Sequence, residues 1–376
     1  MKTNRLYIPI LALALAAGFT SCDDFLDREP VSTVDPEVYF TQVSQLESYA
    51  NQLYENILPS HGNWSYGIFG EDSGTDNQTG ATANNRFAEG LWKVPNKDDD
   101  NWKFEWIYRC NFFLQNVLEK YGTKEDGSEN TIMGDLASIK HYIGEIYFLR
   151  AYEYFKRYQK YGDFPIITEP LADDMEILRE SNKRMPRTEV ARFILDDLKK
   201  AYDFLSAKEM ATTRINKDAA LLLRSRVALF EGTWLKSFEG TAFVPNGEGW
   251  PGASKDYNKD YQFKSGSIDK EINYFLEQAI ADAETISEAY KNDLAENKGL
   301  QQSVNDPANP YYDMFAQEDL SGVREVLLWR QYGRGLVTHN VNVAANRGNY
   351  MNGVTRAFVN NFLMDDGTPV YTHGSY

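Results

Sequence analysis

Apolar residues recur every three or four positions along much of the chain, and each such stretch predicts an amphipathic helix. In YFTQVSQLESYANQLYENIL, residues 39–58, the spacing gathers Phe40, Val43, Leu46, Ala50, Leu53 and Ile57 on one face. The rhythm returns over 101–122 and again over 134–165, where Ile139, Ile143, Ile146, Arg150 and Tyr154 share a face. Gly162, ahead of Asp163 and Pro165, supplies a stop there. PRTEVARFILDDLKKAYDFL opens at Pro186 with Thr188 as its expected cap, and its stripe is Val190, Ile194, Leu198, Ala201 and Leu205. The next helix is expected to start at an Asn216 cap and to keep its rhythm to about Gly232, and another follows over 269–290. Between them the pattern lapses. Residues 59–99 and 237–268 are rich in Gly, Asn, Asp, Ser and Thr, and past Asn309 the helical rhythm weakens. VREVLLWRQY, residues 323–332, has the bulky character of a buried strand.

Helices that arrive in pairs, such as 188–205 with 216–235, predict hairpins stacked as repeats. The expected fold is therefore mainly α, built of irregular tetratricopeptide-like pairs with long loops and a few short strands. No Pro-rich or Gly/Ser-rich linker divides the chain, so 22–376 is expected to form one domain. The polar segment 59–99 is much longer than ordinary connections, and loops of that length are usually functional or disordered. Trp64, Phe69 and Trp92 set within it favour an ordered, functional loop.

The first residues, MKTNRLYIPILALALAAGFTS, change the picture of where the chain works. Lys2 and Arg5 precede an apolar run of about 12 residues and a small polar stretch, the layout of a secretory signal peptide over 1–21. A membrane-spanning helix needs ~20 apolar residues. Cleavage before Cys22 would expose its thiol and α-amino group together, the arrangement that lipoprotein processing acylates. Two or more chains hold a protein stably on a membrane. The other cysteine, Cys110, then has no partner within the mature chain. The net charge is −16, a field that repels phosphate backbones and disfavours nucleic acid as a ligand.

Candidate chemistry is sparse. The four histidines, His61, His141, His339 and His373, lie far apart with no HExxH spacing, and each reads as a surface or polar core residue. Dinucleotide, Walker-type and GxSxG motifs are all missing. Asp72-Ser73-Gly74 matches an aspartic-protease triplet, but that chemistry needs two carboxylates sharing a proton and no second triplet occurs. Asp98-Asp99-Asp100 precedes an expected helix, where the macrodipole favours acids. A calcium site there is the alternative, with nothing else in its support, so no cofactor is expected. A glycosidase needs two opposed carboxylates, and the sequence carries no signature of such a pair. The aromatics, 14% of the chain, fall into two groups. Trp102, Trp106 and Tyr108 lie in helical rhythm and read as packing residues. Trp64, Trp92 and Trp250 lie in polar loops, where a flat ring either seals its loop onto the body or offers a face to a sugar, with amides and Arg bonding the hydroxyls.

Four blocks in order, SCDDFLDREP, GEIYFLRAYEYFKRYQKYGDFPIIT, MPRTEVARFILDDLKKAYDFL and ALLLRSRVALFEGTW, make the chain resemble the SusD/RagB outer-membrane lipoproteins of Bacteroidetes from Cys22 to about residue 365. The resemblance implies a right-handed superhelical scaffold of tetratricopeptide-like pairs, acylated at Cys22 and exposed at the cell surface. It implies a glycan ligand, a SusC-type TonB-dependent transporter as partner, and no hydrolase activity. Family members usually run on through an NRDPR-like block, so a chain ending at MDDGTPVYTHGSY is expected to lack a C-terminal part. By position, the resemblance points to Trp92 as a stacking ring with Asn77 and Arg86 as hydroxyl partners, and more weakly to Trp250, Tyr332, His339 and Asn340. The competing expectation is a tetratricopeptide-like adaptor that holds a protein or peptide and has no affinity for sugar.

Overall fold

The computed structural model describes residues 38–60, 72–80, 102–207, 212–299, 305–333, 338 and 353–373. Its main helices are α1 (Val43–Ile57), α2 (Glu105–Tyr121), α3 (Leu136–Tyr161), the short α4 (Met175–Ser181), α5 (Arg187–Phe204), α6 (Lys217–Ser237) and α7 (Ile268–Tyr290). Two shorter helices, α8 (Pro310–Ala316) and α9 (Arg356–Val359), two 3-10 turns (Pro251–Ser254 and Val370–His373) and a two-stranded sheet of β1 (Gln78–Thr79) and β2 (Gly353–Val354) complete the described elements. The helical expectation holds, and the mainly α, tetratricopeptide-like class with it.

Local chemistry sets the helix boundaries. At the start of α1 the Gln45 side-chain oxygen accepts from the backbone N–H groups of Thr41 and Gln42, 2.9 and 3.0 Å away. Asp135 caps α3, Asn216 caps α6 as expected, and Ser267 caps α7. Thr188 does not cap α5. Pro186 stands at that position, and the Thr188 hydroxyl is buried two residues further on, 2.5 Å from the Tyr261 hydroxyl. Gly162 ends α3 at φ +66°, a left-handed conformation that a side chain would strain.

α3 is the axle of the fold. It packs on α1 and α2 on one side and on α5 on the other, so it is buried nearly all round, beyond the single stripe of the sequence pattern. α5 then packs on α6, and α6 on α7. The close approach of α6 to α7 depends on Gly232, where a Cβ would lie 2.7 Å from the Leu276 side chain. One continuous core runs from Phe40 through Ile143, Ile146 and Leu198 to Phe275.

Arg–carboxylate pairs clamp the helix seams. Arg150 meets Asp197 between α3 and α5 at 2.7 and 2.8 Å, and Arg187 meets Glu231 between α5 and α6. Arg192 meets Glu271 between α5 and α7 at 2.7 and 2.9 Å, and Arg224 meets Asp282 between α6 and α7. Arg214, just before α6, reaches Glu145 on α3 at 2.6 Å and Asn51 on α1 at 2.7 Å. Such two-pronged pairs fix geometry as well as charge. Burial alone would push the Glu271 carboxyl up, but the Arg192 guanidinium and the Ser265 N–H outweigh it and hold it below the ordinary carboxylate range.

A carboxyl whose pKa is depressed on folding stabilises fully above its unfolded value and loses that contribution as pH falls through its folded one. Glu271→Gln should therefore cost about 1.5–3 kcal/mol at neutral pH, the usual scale for a charge-assisted bond. The gap between the variant and the native chain should close below pH ~4. Urea unfolding of both chains at neutral and acid pH measures it; a gap that persists at acid pH would mean the charge is not what holds the α5–α7 seam.

Residues 323–332 are not a strand. They run as turns and coil, with Leu327 buried, its carbonyl accepting from Asn216 Nδ2 at 2.6 Å and the Trp329 indole donating to the Thr212 hydroxyl at 2.8 Å. The bulky side chains that resembled a strand instead dock this segment on the approach to α6.

Candidate functional site

The polar segment that follows α1 is described over 72–80, and there it is a built turn. Thr75 Oγ1 donates to the Asp72 backbone carbonyl at 2.7 Å and lies 3.0 Å from Asp72 Oδ1, the Asn77 N–H donates back to Thr75 Oγ1, and the Gly74 N–H donates to the Gln78 carbonyl. The triplet Asp72-Ser73-Gly74 is thus the corner of this turn. From it β1 leads antiparallel along β2, with Gln78 opposite Val354 and Thr79 opposite Gly353. Thr355 extends the seam, its N–H donating to the Asn77 carbonyl at 2.8 Å and its hydroxyl to the Asp76 carbonyl. Two polar segments from opposite ends of the chain are therefore stitched into one surface.

Asn77 sits on that seam, half-buried, with its amide 3.5 Å from Asp72 Oδ1. Arg86 and Trp92 follow β1 in the chain, and His339 and Asn340 precede β2; all four lie outside the described residues, as do Cys22, Trp64 and Asp98 to Asp100. Tyr332 is half-buried in the segment that Trp329 docks on Thr212, and Arg330 there reaches the Tyr54 carbonyl of α1 at 3.4 Å.

Trp250 is a correction. Its ring is 4% exposed, lies against Gly252 and Tyr261, and its indole N–H donates to Asp163 Oδ2 at 2.8 Å. With both the face and the N–H engaged by protein, it seals its loop onto the end of α3 and offers no platform. Burial raises the Asp163 carboxyl above its ordinary value, against the indole and the Arg187 N–H, which favour the charged form. Trp102 packs as expected, edge-on to Phe164 at 4.8 Å with Arg184 over its ring at 4.5 Å. Tyr108 departs from the packing expectation and is 46% exposed.

His141 is the polar core residue its position allowed. Its Nδ1 accepts from the Ser206 N–H at 3.1 Å, which leaves Nε2 to donate to Glu145 Oε1 at 3.1 Å. Cys110 is buried and unpaired, and burial pushes its thiol well up, so it is inert. Among the described residues no three His, Cys, Asp or Glu side chains converge to hold a metal.

Two cavities flank α2. One of about 290 Å³ is apolar and open on one side, lined by Trp102, Phe104, Ile107, Tyr108, Ile167 and Leu178. The other, about 240 Å³, is polar and lies between the end of α1 (Asn56), Trp106 of α2, and Glu153, Lys156, Arg157 and Lys160 of α3. Reading for apolar rhythm passed over the second, although the spacing of its α3 residues by three and four places them on one helix face.

The described molecule is thus a helical-repeat scaffold whose polar loops are drawn together at one seam. A family model described as "starch-binding associating with outer membrane", the SusD-like family, matches residues 24–229, and the chain belongs to that family. Two SusD-like proteins of Formosa agariphila, P25 and P2, are 26% and 25% identical over 234 and 258 residues. Those matches cover 57% and 66% of this chain but 41% and 47% of the relatives, so the chain spans under half of their length. A SusD-like carbohydrate binding protein of Bacteroides fragilis shares the fold with a TM-score of 0.54 at 15% identity, over 88% of this chain and 55% of that one. No described helix is long and apolar enough to cross a membrane.

Proposed function

We propose that this chain is a cell-surface lipoprotein that binds oligosaccharide and passes it to a SusC-type TonB-dependent transporter of the outer membrane. Membership of a starch-binding, outer-membrane-associated family carries this reading. Asn77 on the β1–β2 seam supports a sugar face there, with Arg86 and Trp92 following β1 in the chain and His339 and Asn340 preceding β2. Cys22, acylated after removal of residues 1–21, is the tether. The protein holds sugar without cleaving it: stacking rings and hydrogen-bonding amides need no paired acid and base, and turnover belongs to other proteins. The transporter supplies the passage, and this chain supplies capture at its mouth.

The test is affinity electrophoresis of the whole chain in mild detergent, in gels containing plant, host and microbial polysaccharides. Selective retardation by one glycan class with no release of reducing ends is expected. A folded chain retarded by none of them would overturn glycan capture and leave the protein- or peptide-binding adaptor.

A further inference from the structure

We infer that the apolar cavity beside α2 is a binding site for a single flat aromatic ring, borne by a sugar or free as a small phenol. The site stands apart from the glycan face proposed at the β1–β2 seam and goes beyond it.

The cavity opens between the first turns of α2, the segment 167–171 that follows α3, and α4. Buried Ile107 and Asn111 form its inner end, and exposed Tyr108 and Leu178 stand at its mouth. Trp102 and Phe104 line it together, edge to face with 5.9 Å between ring centres at 82°, so they meet as two walls of a corner. A flat ring that enters such a corner lies along one wall and meets the other edge-on, the two geometries that aromatic pairs prefer. Protein rings back the walls: Phe164 stacks on Phe104 at 5.1 Å, and Phe112 stacks on Tyr108 at 6.4 Å. Their orientation is fixed before a ligand arrives, which lowers the entropic cost of binding.

Polar bonding at the inner end is already complete. Asn111 Nδ2 donates to the carbonyls of Ile167 and Glu169 at 2.9 and 3.3 Å, and its Oδ1 accepts from Arg150 at 2.8 Å. A sugar ring pushed into this space would strip water from hydroxyls that find no partner there, a cost that an aromatic ring escapes. Exposed Glu169 and Asn182 lie at the rim instead, where they can meet the polar body to which a ring is attached. A volume of about 290 Å³ lies just under the roughly 300–1,000 Å³ of ordinary ligand pockets, so it suits one ring and not a length of glycan.

Core packing accounts for the backs of these rings, but not for what stands at the mouth. α4 buries none of its residues, yet it sets Leu178, 40% exposed, against the opening. An apolar side chain kept in water beside an apolar cavity adds little to the core and gives an incoming ring a further contact.

The experiment is a ligand-observed fluorine NMR titration of the whole chain in lipid nanodiscs, with empty nanodiscs as the blank. The probes are 4-fluorophenyl β-glucoside and free 4-fluorophenol. The competitors are cyclohexyl β-glucoside, matched in size but not flat, and methyl β-glucoside. Leu178→Asp and Tyr108→Ala are run alongside, with the melting temperature as a folding control and retardation by polysaccharide gels as a second readout. At least one fluorinated ring should bind about tenfold or more tighter than the cyclohexyl and methyl glucosides. Each variant should weaken it about tenfold at an unchanged melting temperature and unchanged retardation. Phenol that matches or exceeds the aryl glucoside assigns recognition to the ring alone, and a tighter glucoside adds the rim of Glu169 and Asn182; both support the site. No binding of either ring, equal binding of the cyclohexyl glucoside, or binding that survives both variants overturns the inference and leaves the glycan reading standing. Retardation lost in the variants would make the cavity part of the glycan face and overturn it as a separate site. A native chain that binds the ring but is retarded by no polysaccharide overturns the glycan reading alone.

Discussion

Arg150→Ala should lower stability by about 3–5 kcal/mol, the cost of stranding a buried partner charge, and the melting temperature by about 4–7 °C. Arg150 is nearly buried and Asp197 fully so, and the two share a bond at each end of the guanidinium fork. Removing the cation leaves the carboxylate in the core with no opposite charge. It also takes the 2.8 Å donor from Asn111 Oδ1, and the Asn111 amide holds the carbonyls of Ile167 and Glu169. One truncation therefore loosens α3 from α5 and frees the loop beyond α3. Arg150→Lys keeps charge but loses the planar fork, and should fall between. The double variant Arg150→Met, Asp197→Leu removes both charges and should lie nearer the native chain than either single variant. Chemical denaturation of the four chains measures this; a double variant worse than Arg150→Ala would show that packing, not charge, dominates at this seam.

What could be read from the sequence follows from how local each signal is. Helices α1, α2, α3, α5, α6 and α7 were legible because burying one face imposes a period that a single chain displays. Arg150 was placed correctly on the buried face of α3, and Asn216 as a cap, for the same reason. Residues 323–332 were misread because a bulky apolar run marks burial without saying what covers it; here the cover is the approach to α6. Trp250 posed the same ambiguity. A ring in a polar loop has two uses, and only the bond to Asp163 decides between them. The β1–β2 seam was out of reach, since strands of two residues have no period and their partners lie at opposite ends of the chain. The polar cavity was out of reach in another way. Lys156, Arg157 and Lys160 resemble any solvated helix end in the sequence, and only the fold sets Asn56 and Trp106 beside them.

Trp92→Ala should weaken glycan binding by about 30- to 900-fold, which is the ~2–4 kcal/mol that truncating a central aromatic anchor costs. Trp92 belongs to the polar segment that leaves β1 and re-enters the core at Trp102 and Phe104, so its two ends are held by the seam and by α2. On the proposed reading this ring offers a sugar a broad apolar face and takes no part in the core. The melting temperature of the variant should therefore stay within a degree or two of the native chain. Trp250→Ala is the matched opposite. That ring is buried and its indole bonds Asp163, so the expected loss is about 3–5 kcal/mol of stability, with affinity unchanged in whatever fraction remains folded. Calorimetric titration and thermal melts on both variants separate the roles. If Trp92→Ala loses stability in step with affinity, the ring is a packing residue, and the sugar platform must be sought through the weaker candidates, His339 and Asn340 first.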